Sequence, residues 1–313
     1  MSYKLRARPV IGITMGDPAG IGPEIILKAL SRLGLKAARI IGSRAVFEQE
    51  QQRLKTSVDL SLVDDAVPAP GRFTMGRVQK NCGQAALAAL EVGVELLRTG
   101  AISAMVTAPV SKESLRLAGF GWPGQTEFLA ERLGCRRPAM LAWTPRFKVV
   151  FVTIHLPLAL VAPLITAQAV AEKIRMLAGF LRSEGRTKPR IGVMAFNPHA
   201  TEFSLGEEKR ILAGIRLARR SGAQATGPLP ADSVALRLRE FDGFVAMFHD
   251  QAMIPAKLLG RGRGVNVTLG LGRVRTSPLH GVAFDIAGTG QASPGSMIAA
   301  LRLARRLAQR CRQ

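Results

Sequence analysis

Three of the four histidines in this 313-residue chain stand where they could hold a metal ion. His155, His199 and His249 each close a short segment that follows or ends an apolar run: TIH, NPH and MFH. If these runs are parallel strands, the imidazoles lie at the carboxyl edge of a sheet, where ligands gather in α/β folds. Three neutral imidazoles would bind a divalent metal and leave positions open for substrate. A histidine at a strand end can equally be a packed core residue, and spacing alone leaves both interpretations open.

Two glycine-rich segments are further candidates for ligand binding. GDPAGIGPEI (16–25) follows an apolar run and opens a helical pattern with Pro23 near its first turn. It is either an anion site at a helix N-terminus or a tight turn and nothing more, because its spacing is neither GxGxxG nor a Walker loop. The second segment, HGVAFDIAGTGQASPGS (280–296), offers an imidazole, a carboxylate and backbone groups that suit an adenine and a ribose diol.

The elements that must position these residues alternate along the chain. We predict strands at 9–15, 38–42, 101–108, 148–155, 190–196, 243–249 and 264–270. We predict helices at 23–33, 83–100, 126–134, 166–185, 207–222 and 296–310. Short Val- and Ile-rich runs that alternate with amphipathic helices are typical of α/β architecture with a largely parallel sheet. The Gly- and Pro-rich segment 119–124 is the best candidate for a crossing between two domains.

Bulk composition limits the classes of partner and compartment. The net charge of +22 attracts anionic substrates, and it raises non-specific affinity for nucleic acid. The basic residues are spread over helical stretches and aromatic residues make up only 5%, so we expect no specific nucleic-acid partner. Cys82, Cys135 and Cys311 have neither disulfide nor zinc-knuckle spacing, which favours the reducing cytoplasm. Asp17 and Pro18 interrupt the first apolar stretch, so we expect neither a signal peptide nor a membrane span.

Eight motifs, in family order, resemble segments of the 4-hydroxythreonine-4-phosphate dehydrogenase family of vitamin B6 biosynthesis. They are GDPAGIGPE (16–24), TAPVSKE (107–113), GQTEFLA (124–130), NPHA (197–200), GPLPAD (227–232), HDQAMIPAK (249–257), GRGVNVTLGLGRVRTS (262–277) and HGVAFDIAG (280–288). The first and last also resemble, more distantly, segments of the isopropylmalate and isocitrate dehydrogenases. The resemblance implies their fold, two α/β/α domains with a cleft between them. We expect residues 1–120 plus 293–313 in the first domain, and residues 121–292, with most of the motifs, in the second.

The resemblance also implies roles for individual residues. The metal ligands would be His155, His199 and His249, in a site completed across a homodimer interface and holding zinc, magnesium, manganese or cobalt. The substrate contacts would be Gln125, Thr126, Lys257, Asn266 and Arg275. Lys257 and Asp232 are the candidates for the catalytic base. NAD, or NADP in its place, would lie with its adenosine near His280, Gly281 and Asp285.

The expected reaction is the metal-dependent oxidation of a secondary alcohol on a small anionic substrate. The resemblance implies 4-phosphooxy-L-threonine as the leading substrate, which would be oxidised to 2-amino-3-oxo-4-phosphooxybutanoate. This product would then lose carbon dioxide. Two features depart from the family pattern: Gln125 replaces the usual histidine, and TEFSLGEE (201–208) replaces a longer glycine-rich loop. They favour a paralogue that acts on a four-carbon sugar-acid 4-phosphate or an aromatic cis-dihydrodiol carboxylate. A basic nucleic-acid-associated protein without enzymatic activity is the remote alternative.

Overall fold

The computed structural model describes residues 9–35 and 37–310, so Cys311 lies outside the described residues. The strands, in chain order, are β1 (Ile11–Thr14), β2 (Ala38–Ile41), β3 (Val63–Asp64), β4 (Ala104–Thr107), β5 (Ala139–Trp143), β6 (Lys148–Phe151), β7 (Arg190–Met194), β8 (Gln224–Leu229), β9 (Gly243–Ala246), β10 (Val265–Leu269) and β11 (Val274–Pro278). The helices are α1 (Gly22–Leu33), α2 (Arg44–Leu54), α3 (Lys80–Thr99), α4 (Lys112–Leu117), α5 (Gln125–Arg132), α6 (Val161–Leu164), α7 (Ala167–Ser183), α8 (Glu207–Arg220), α9 (His249–Gly260) and α10 (Gly295–Arg310). Short 3-10 helices occur at Leu60–Leu62, Leu158–Leu160, Ala200–Phe203 and Asp232–Arg237.

The chain divides into two compact units, and the first joins Met1–Pro138 to Leu271–Gln313. Its strands lie in the order β3-β2-β1-β4-β11, and each neighbouring pair is parallel. Every residue of β1 and β4 is buried, as expected for parallel strands that are covered on both faces. The helices α3 and α10 pack on these strands, and α1 packs against α2 and α10.

The second unit is Ala139–Gly270. Its strands lie in the order β10-β5-β6-β9-β7-β8. β5 runs antiparallel to both of its neighbours, whereas the pairs from β6 to β8 are parallel. The helix α7 packs on β9 and against α8, and α9 packs on β6 and β5. The three apolar runs that precede His155, His249 and His199 therefore lie in this unit, as β6, β9 and β7.

Each predicted strand and helix is present, with ends within a few residues of those expected. The prediction missed several elements: β3, β5, β8, β11, α2, α4, α6 and α9. The helix α9 was missed because Pro255 lies inside it, and proline ordinarily ends a helical pattern. The predicted strand at 243–249 is wrong at its end, since β9 stops at Ala246 and His249 is the first residue of α9.

The boundaries between the two units differ from those expected from the sequence, which lay after residues 120 and 292. The divisions follow Pro138 and Gly270. The reason is strand pairing: β11 lies parallel to β4, with Arg275 opposite Met105, so the segment after Gly270 belongs to the first unit. Consequently Gln125, Thr126 and Arg275, and with them the segment 280–285, lie in the first unit rather than the second.

Among the described helices, none combines the length and apolar character that crossing a bilayer would require.

Candidate functional site

Two of the three candidate metal ligands lie near each other in the second unit. The rings of His155 and His249 are 5.5 Å apart between centroids. His249 opens α9 because the chain turns from β9 into that helix within three residues. Its Nδ1 lies 2.7 Å from Asp250 Oδ1, an arrangement that orients an imidazole and makes its other nitrogen a better ligand. This pair fits two of the positions around a divalent ion.

His199 has an unusual backbone. Its φ is +54° and that of Ala200 is +60°, in the left-handed region that non-glycine residues seldom adopt. Strain of this kind is concentrated at functional sites. The imidazole is exposed, with Nδ1 3.1 Å from Glu202 Oε2 and with its ring against Phe203. The sharp turn thus places the imidazole of His199 shortly after the end of β7, beside the side chains of Glu202 and Phe203.

The three histidines do not form a complete metal site within one chain. Across residues 9–35 and 37–310, no group of three or more His, Cys, Asp or Glu side chains is arranged to hold an ion. The type of donor nevertheless suits zinc and similar divalent ions, because imidazole is a common ligand for each. The described residues therefore bring together two of the three predicted ligands, His155 and His249.

A buried arginine forms the centre of the candidate anion site in the first unit. Arg275 is 2% exposed, and its Nη2 donates hydrogen bonds to Thr107 Oγ1 at 2.6 Å and to Gln125 Oε1 at 3.1 Å. Because side chains alternate along a strand, Arg275 opposite Met105 shares a face with Thr107, two residues further on. Burial lowers the pKa of Arg275 to about 10, and the charge of Glu127 partly opposes this shift. An anion bound here would stabilise the buried cation.

The contact between Arg275 and Gln125 also fixes the orientation of the Gln125 amide. A guanidinium can only donate, so the amide oxygen must be the atom that faces it. The nitrogen of Gln125 is therefore the group left to meet a ligand, and it donates. Thr126 follows in the first turn of α5 and is half-buried. Sequence reasoning gave Thr107 no role, although TAPVSKE was among the resembling motifs.

The other candidate substrate residues lie in the second unit. Asp232 begins a 3-10 helix and lines a cavity of about 340 Å³, together with Asp250, Gln251 and apolar side chains. Lys257 lies on the exposed side of α9, two turns after His249. Asn266 is the second residue of β10, and its buried Oδ1 has no hydrogen-bond partner among the described residues. An amide oxygen in this state suits a donor on a bound ligand.

The candidate cofactor segment is a loop of the first unit. His280 and Asp285 are exposed, and His280 Nδ1 lies 3.1 Å from Gly281 O. The loop is joined to the GDPAG segment by a hydrogen bond from Ile21 N to Val282 O at 3.0 Å. Exposed polar groups on an anchored loop are suited to bind a coenzyme.

The GDPAGIGPE segment itself is a buried turn. A Cβ at Gly16 would lie 2.4 Å from Pro109 O, and a Cβ at Gly22 would lie 2.5 Å from Met15 O. Asp17 is fully buried, and its Oδ1 accepts a hydrogen bond from Ala19 N at 2.9 Å. This packing favours the tight-turn interpretation over an open anion site.

Comparisons with known proteins agree with the motifs. A family model described as Pyridoxal phosphate biosynthetic protein PdxA matches residues 18–304. The chain is 41% identical to a D-threonate 4-phosphate dehydrogenase of Salmonella typhimurium, an alignment that covers 95% of this chain and 98% of the relative. It is also 41% identical to a 4-hydroxythreonine-4-phosphate dehydrogenase of Beijerinckia indica, over 95% of this chain and 94% of the relative.

Solved structures give the same result for the fold. A 4-hydroxythreonine-4-phosphate dehydrogenase from Klebsiella pneumoniae matches with a TM-score of 0.85 at 35% identity, covering 96% of this chain and 100% of that one. A β-decarboxylating dehydrogenase from Thermococcus kodakarensis matches with a TM-score of 0.52 at 17% identity, covering 96% and 83%, and is similar in fold alone. The α/β fold class and the family resemblance are thereby confirmed.

Proposed function

Because the chain belongs to the pyridoxal phosphate biosynthetic protein PdxA family, we propose that it oxidises the secondary alcohol of a small phosphorylated acid with a nicotinamide coenzyme. The observation that carries this proposal is full-length similarity to dehydrogenases of 4-phosphorylated threonine and threonate. A buried cationic side chain, Arg275, supports an anionic substrate.

We propose D-threonate 4-phosphate as the substrate, a four-carbon sugar-acid 4-phosphate. Gln125 stands where family members carry histidine, and its oxygen is occupied by Arg275. The amide nitrogen that remains donates, so it can bind a hydroxyl or carboxylate oxygen but not an ammonium group. The second candidate is 4-phosphooxy-L-threonine, which carries an ammonium at C2 and is favoured by the second relative.

The chain's own side chains have three tasks in this reaction. Arg275, Gln125 and Thr126 bind and orient anionic and hydroxyl oxygens of the substrate. Asn266 presents its buried amide oxygen to a substrate donor. The proton of the substrate hydroxyl goes to Lys257 or Asp232, directly or through water. The hydride leaves from the carbon that bears this hydroxyl, and the resulting β-keto acid can lose carbon dioxide.

NAD would receive the hydride, and this is the chemistry that the coenzyme supplies. His280, Gly281 and Asp285 are the residues that would hold its adenosine. The carboxylate of Asp285 suits a ribose diol and would repel a 2′-phosphate, so NAD is favoured over NADP.

A divalent metal held by His155, His199 and His249 would lower the pKa of the substrate hydroxyl. Zinc is the first candidate, and magnesium, manganese or cobalt are the others. Because the described residues of one chain bring only two of these imidazoles together, we propose that a homodimer completes the site.

Exposed apolar side chains near the histidines support the homodimer. Large apolar residues with exposed side chains follow each histidine in sequence: Leu156, Leu158, Leu160 and Leu164; Phe203 and Leu205; Ile254 and Leu258. A concentration of such side chains is typical of a surface that another protein covers.

The experiment is an assay of NAD reduction with each candidate acid and each of the four metals. We expect D-threonate 4-phosphate to be turned over faster than 4-phosphooxy-L-threonine, and a dephosphorylated acid to be inactive. Equal turnover of the dephosphorylated acid would contradict the anionic requirement. If neither phosphorylated acid is oxidised with any metal, the proposed function is wrong.

A further inference from the structure

A buried carboxylate in the first unit takes no part in the proposed chemistry, yet it joins three segments of the chain. Glu24 is 1% exposed and lies in the first turn of α1. Its Oε1 accepts hydrogen bonds from Lys28 Nζ at 2.7 Å and from Ala292 N at 2.9 Å. Its Oε2 accepts one from Arg53 Nη2 at 3.0 Å, from the end of α2. Glu24 therefore ties α1 and α2 to the chain just before α10.

The two cations continue from Glu24 to the loop carbonyls. Lys28 Nζ donates to Gly290 O at 2.7 Å and to Ala292 O at 2.9 Å, and Arg53 Nη1 donates to Gly288 O at 2.7 Å. Gly288 and Gly290 both have left-handed φ angles, of +81° and +75°. The cations thus hold the carbonyls of a loop whose course depends on glycine conformations.

This cluster differs from an ordinary surface ion pair. Arg53 also binds Glu50, so two carboxylates, Glu24 and Glu50, face two cations, Lys28 and Arg53. Both carboxylate side chains are at least 93% buried, whereas the similarly spaced pair Arg98–Glu95 is more than half exposed on both sides. Exposed pairs contribute little, while removing one member of a buried cluster leaves a charge without its partners.

The held loop is bonded to the candidate coenzyme segment. Thr289 donates to Ile286 O from its amide at 3.2 Å and from Oγ1 at 2.7 Å. Ile286 N in turn donates to Ala283 O at 3.2 Å, and Ile286 directly follows Asp285. A shift at Gly288–Ala292 would therefore move the backbone that carries Asp285.

We infer that Glu24, Lys28 and Arg53 are positioning residues that fix the coenzyme-binding loop before NAD arrives. None of them is among the residues proposed to bind the substrate or to take its proton. They act through the carbonyls of Gly288, Gly290 and Ala292 on the segment 280–285. This inference rests on the proposed function in one respect, namely that this segment binds the adenosine of NAD.

The test compares Arg53→Met, Arg53→Lys and Lys28→Met with Arg98→Met as the matched control. Arg98 also binds a glutamate three residues earlier in its helix, but both side chains of this pair are exposed to solvent. We expect the Kd and KM for NAD to rise about tenfold in Arg53→Met and Lys28→Met, equivalent to one lost hydrogen bond. The kcat and the KM for the acid substrate should stay near wild-type values, and Arg53→Lys should lie between.

A second measurement needs no coenzyme. Hydrogen exchange of the amides in 286–292 should be faster in Arg53→Met than in the wild type and in Arg98→Met, with other regions unchanged. NAD binding by calorimetry gives the Kd independently of turnover.

The outcomes separate this inference from the proposed function. If the wild type does not bind NAD at all, the proposed function is wrong. If the wild type binds NAD and the Kd is unchanged in both methionine variants, the inference alone is overturned. It is also overturned if the KM values for NAD and for the acid rise together, because that pattern reports general disruption of the fold.

Discussion

Gln125 is the residue on which substrate choice depends in the proposed site. Its oxygen accepts a hydrogen bond from Arg275 Nη2 at 3.1 Å. A neutral histidine there has an unprotonated ring nitrogen that can accept a hydrogen bond from an ammonium group, whereas the free amide nitrogen of Gln125 can only donate. We expect Gln125→His to raise kcat/KM for 4-phosphooxy-L-threonine relative to D-threonate 4-phosphate. The gain should be about ten- to a hundred-fold, the value of a charge-assisted hydrogen bond.

The measurement is steady-state kinetics with both acids for both proteins. The proposal fails if the wild type already turns over 4-phosphooxy-L-threonine efficiently and the histidine variant gains nothing. Thr107→Val is a useful companion, because it removes the hydroxyl that accepts a hydrogen bond from Arg275 Nη2 and should weaken the binding of both acids alike.

The metal ligands give a second prediction at this scale. Replacing His199 or His249 with Ala removes one imidazole donor, so we expect metal content per chain and activity to fall sharply together. His280→Ala is the control for metal content alone, since His280 is exposed like His199 but lies in the other unit and belongs to the proposed coenzyme site. Elemental analysis of purified protein measures the metal. Wild-type metal content in His199→Ala would exclude that residue as a ligand.

The buried Asp17 predicts a dependence of stability on pH. Burial raises the pKa of Asp17 above its usual 3.8, and hydrogen bonds from Ser114, Ala19 and Ser111 only partly oppose the rise. The folded state therefore binds this proton more tightly than the unfolded state does. Its contribution to stability is present at acid pH and is lost as the pH rises from about 3.8 through the raised value.

We expect Asp17→Asn to be more stable than the wild type at neutral pH, since the amide keeps an oxygen for Ala19 N and carries no charge. The difference should shrink as the pH falls toward 3.8. Urea denaturation at several pH values measures it. The prediction is wrong if Asp17→Asn is less stable than the wild type at neutral pH but not at acid pH.

At the scale of elements, the packing of α3 against α4 depends on one glycine. A Cβ at Gly83 would lie 1.9 Å from Ser114 O, a backbone atom that cannot rotate away. We expect Gly83→Ala to lower the free energy of unfolding by about 1–3 kcal/mol or more. The control is Gly179→Ala in α7, where a Cβ meets nothing within 4 Å. That change should raise stability by about 0.5–1 kcal/mol, because alanine is the better helix former.

The denaturant midpoints of the two variants and the wild type measure these changes in stability. Equal midpoints for Gly83→Ala and the wild type would mean that α4 can move away from α3 without cost. Because Lys112 and Ser111 lie at the start of α4, activity measured on the same samples shows whether that movement reaches the TAPVSKE segment.

At the scale of the whole molecule, we expect an obligate homodimer whose dissociation abolishes activity and metal binding together. Leu158→Asp places a charge among the exposed leucines that follow His155, so it should shift sedimentation toward the monomer and lower metal content. Leu117→Asp is the control, because Leu117 is similarly exposed but lies on α4 in the other unit. A fully active monomer on dilution would refute the shared site.

The sequence alone determined the family, the α/β class and the chemical types at the site. These properties are local, since motifs such as NPHA and HGVAFDIAG are read from neighbouring residues. The apolar runs likewise identified every predicted strand, because burial on both faces demands continuous Val, Ile and Leu. The histidine set and the loop at 280–288 could be proposed before any coordinate was known.

Tertiary structure alone decided which of those residues meet. Arg275 and Thr107 are 168 residues apart, and only the register of β11 on β4 places them on one face. The same pairing moved the unit boundary to Gly270 and assigned the candidate coenzyme loop to the first unit. Neither Arg53 nor Lys28 has a motif that marks it, because the loop carbonyls to which they donate are more than 230 residues away. Such contacts depend on the path of the folded chain, which no local pattern encodes.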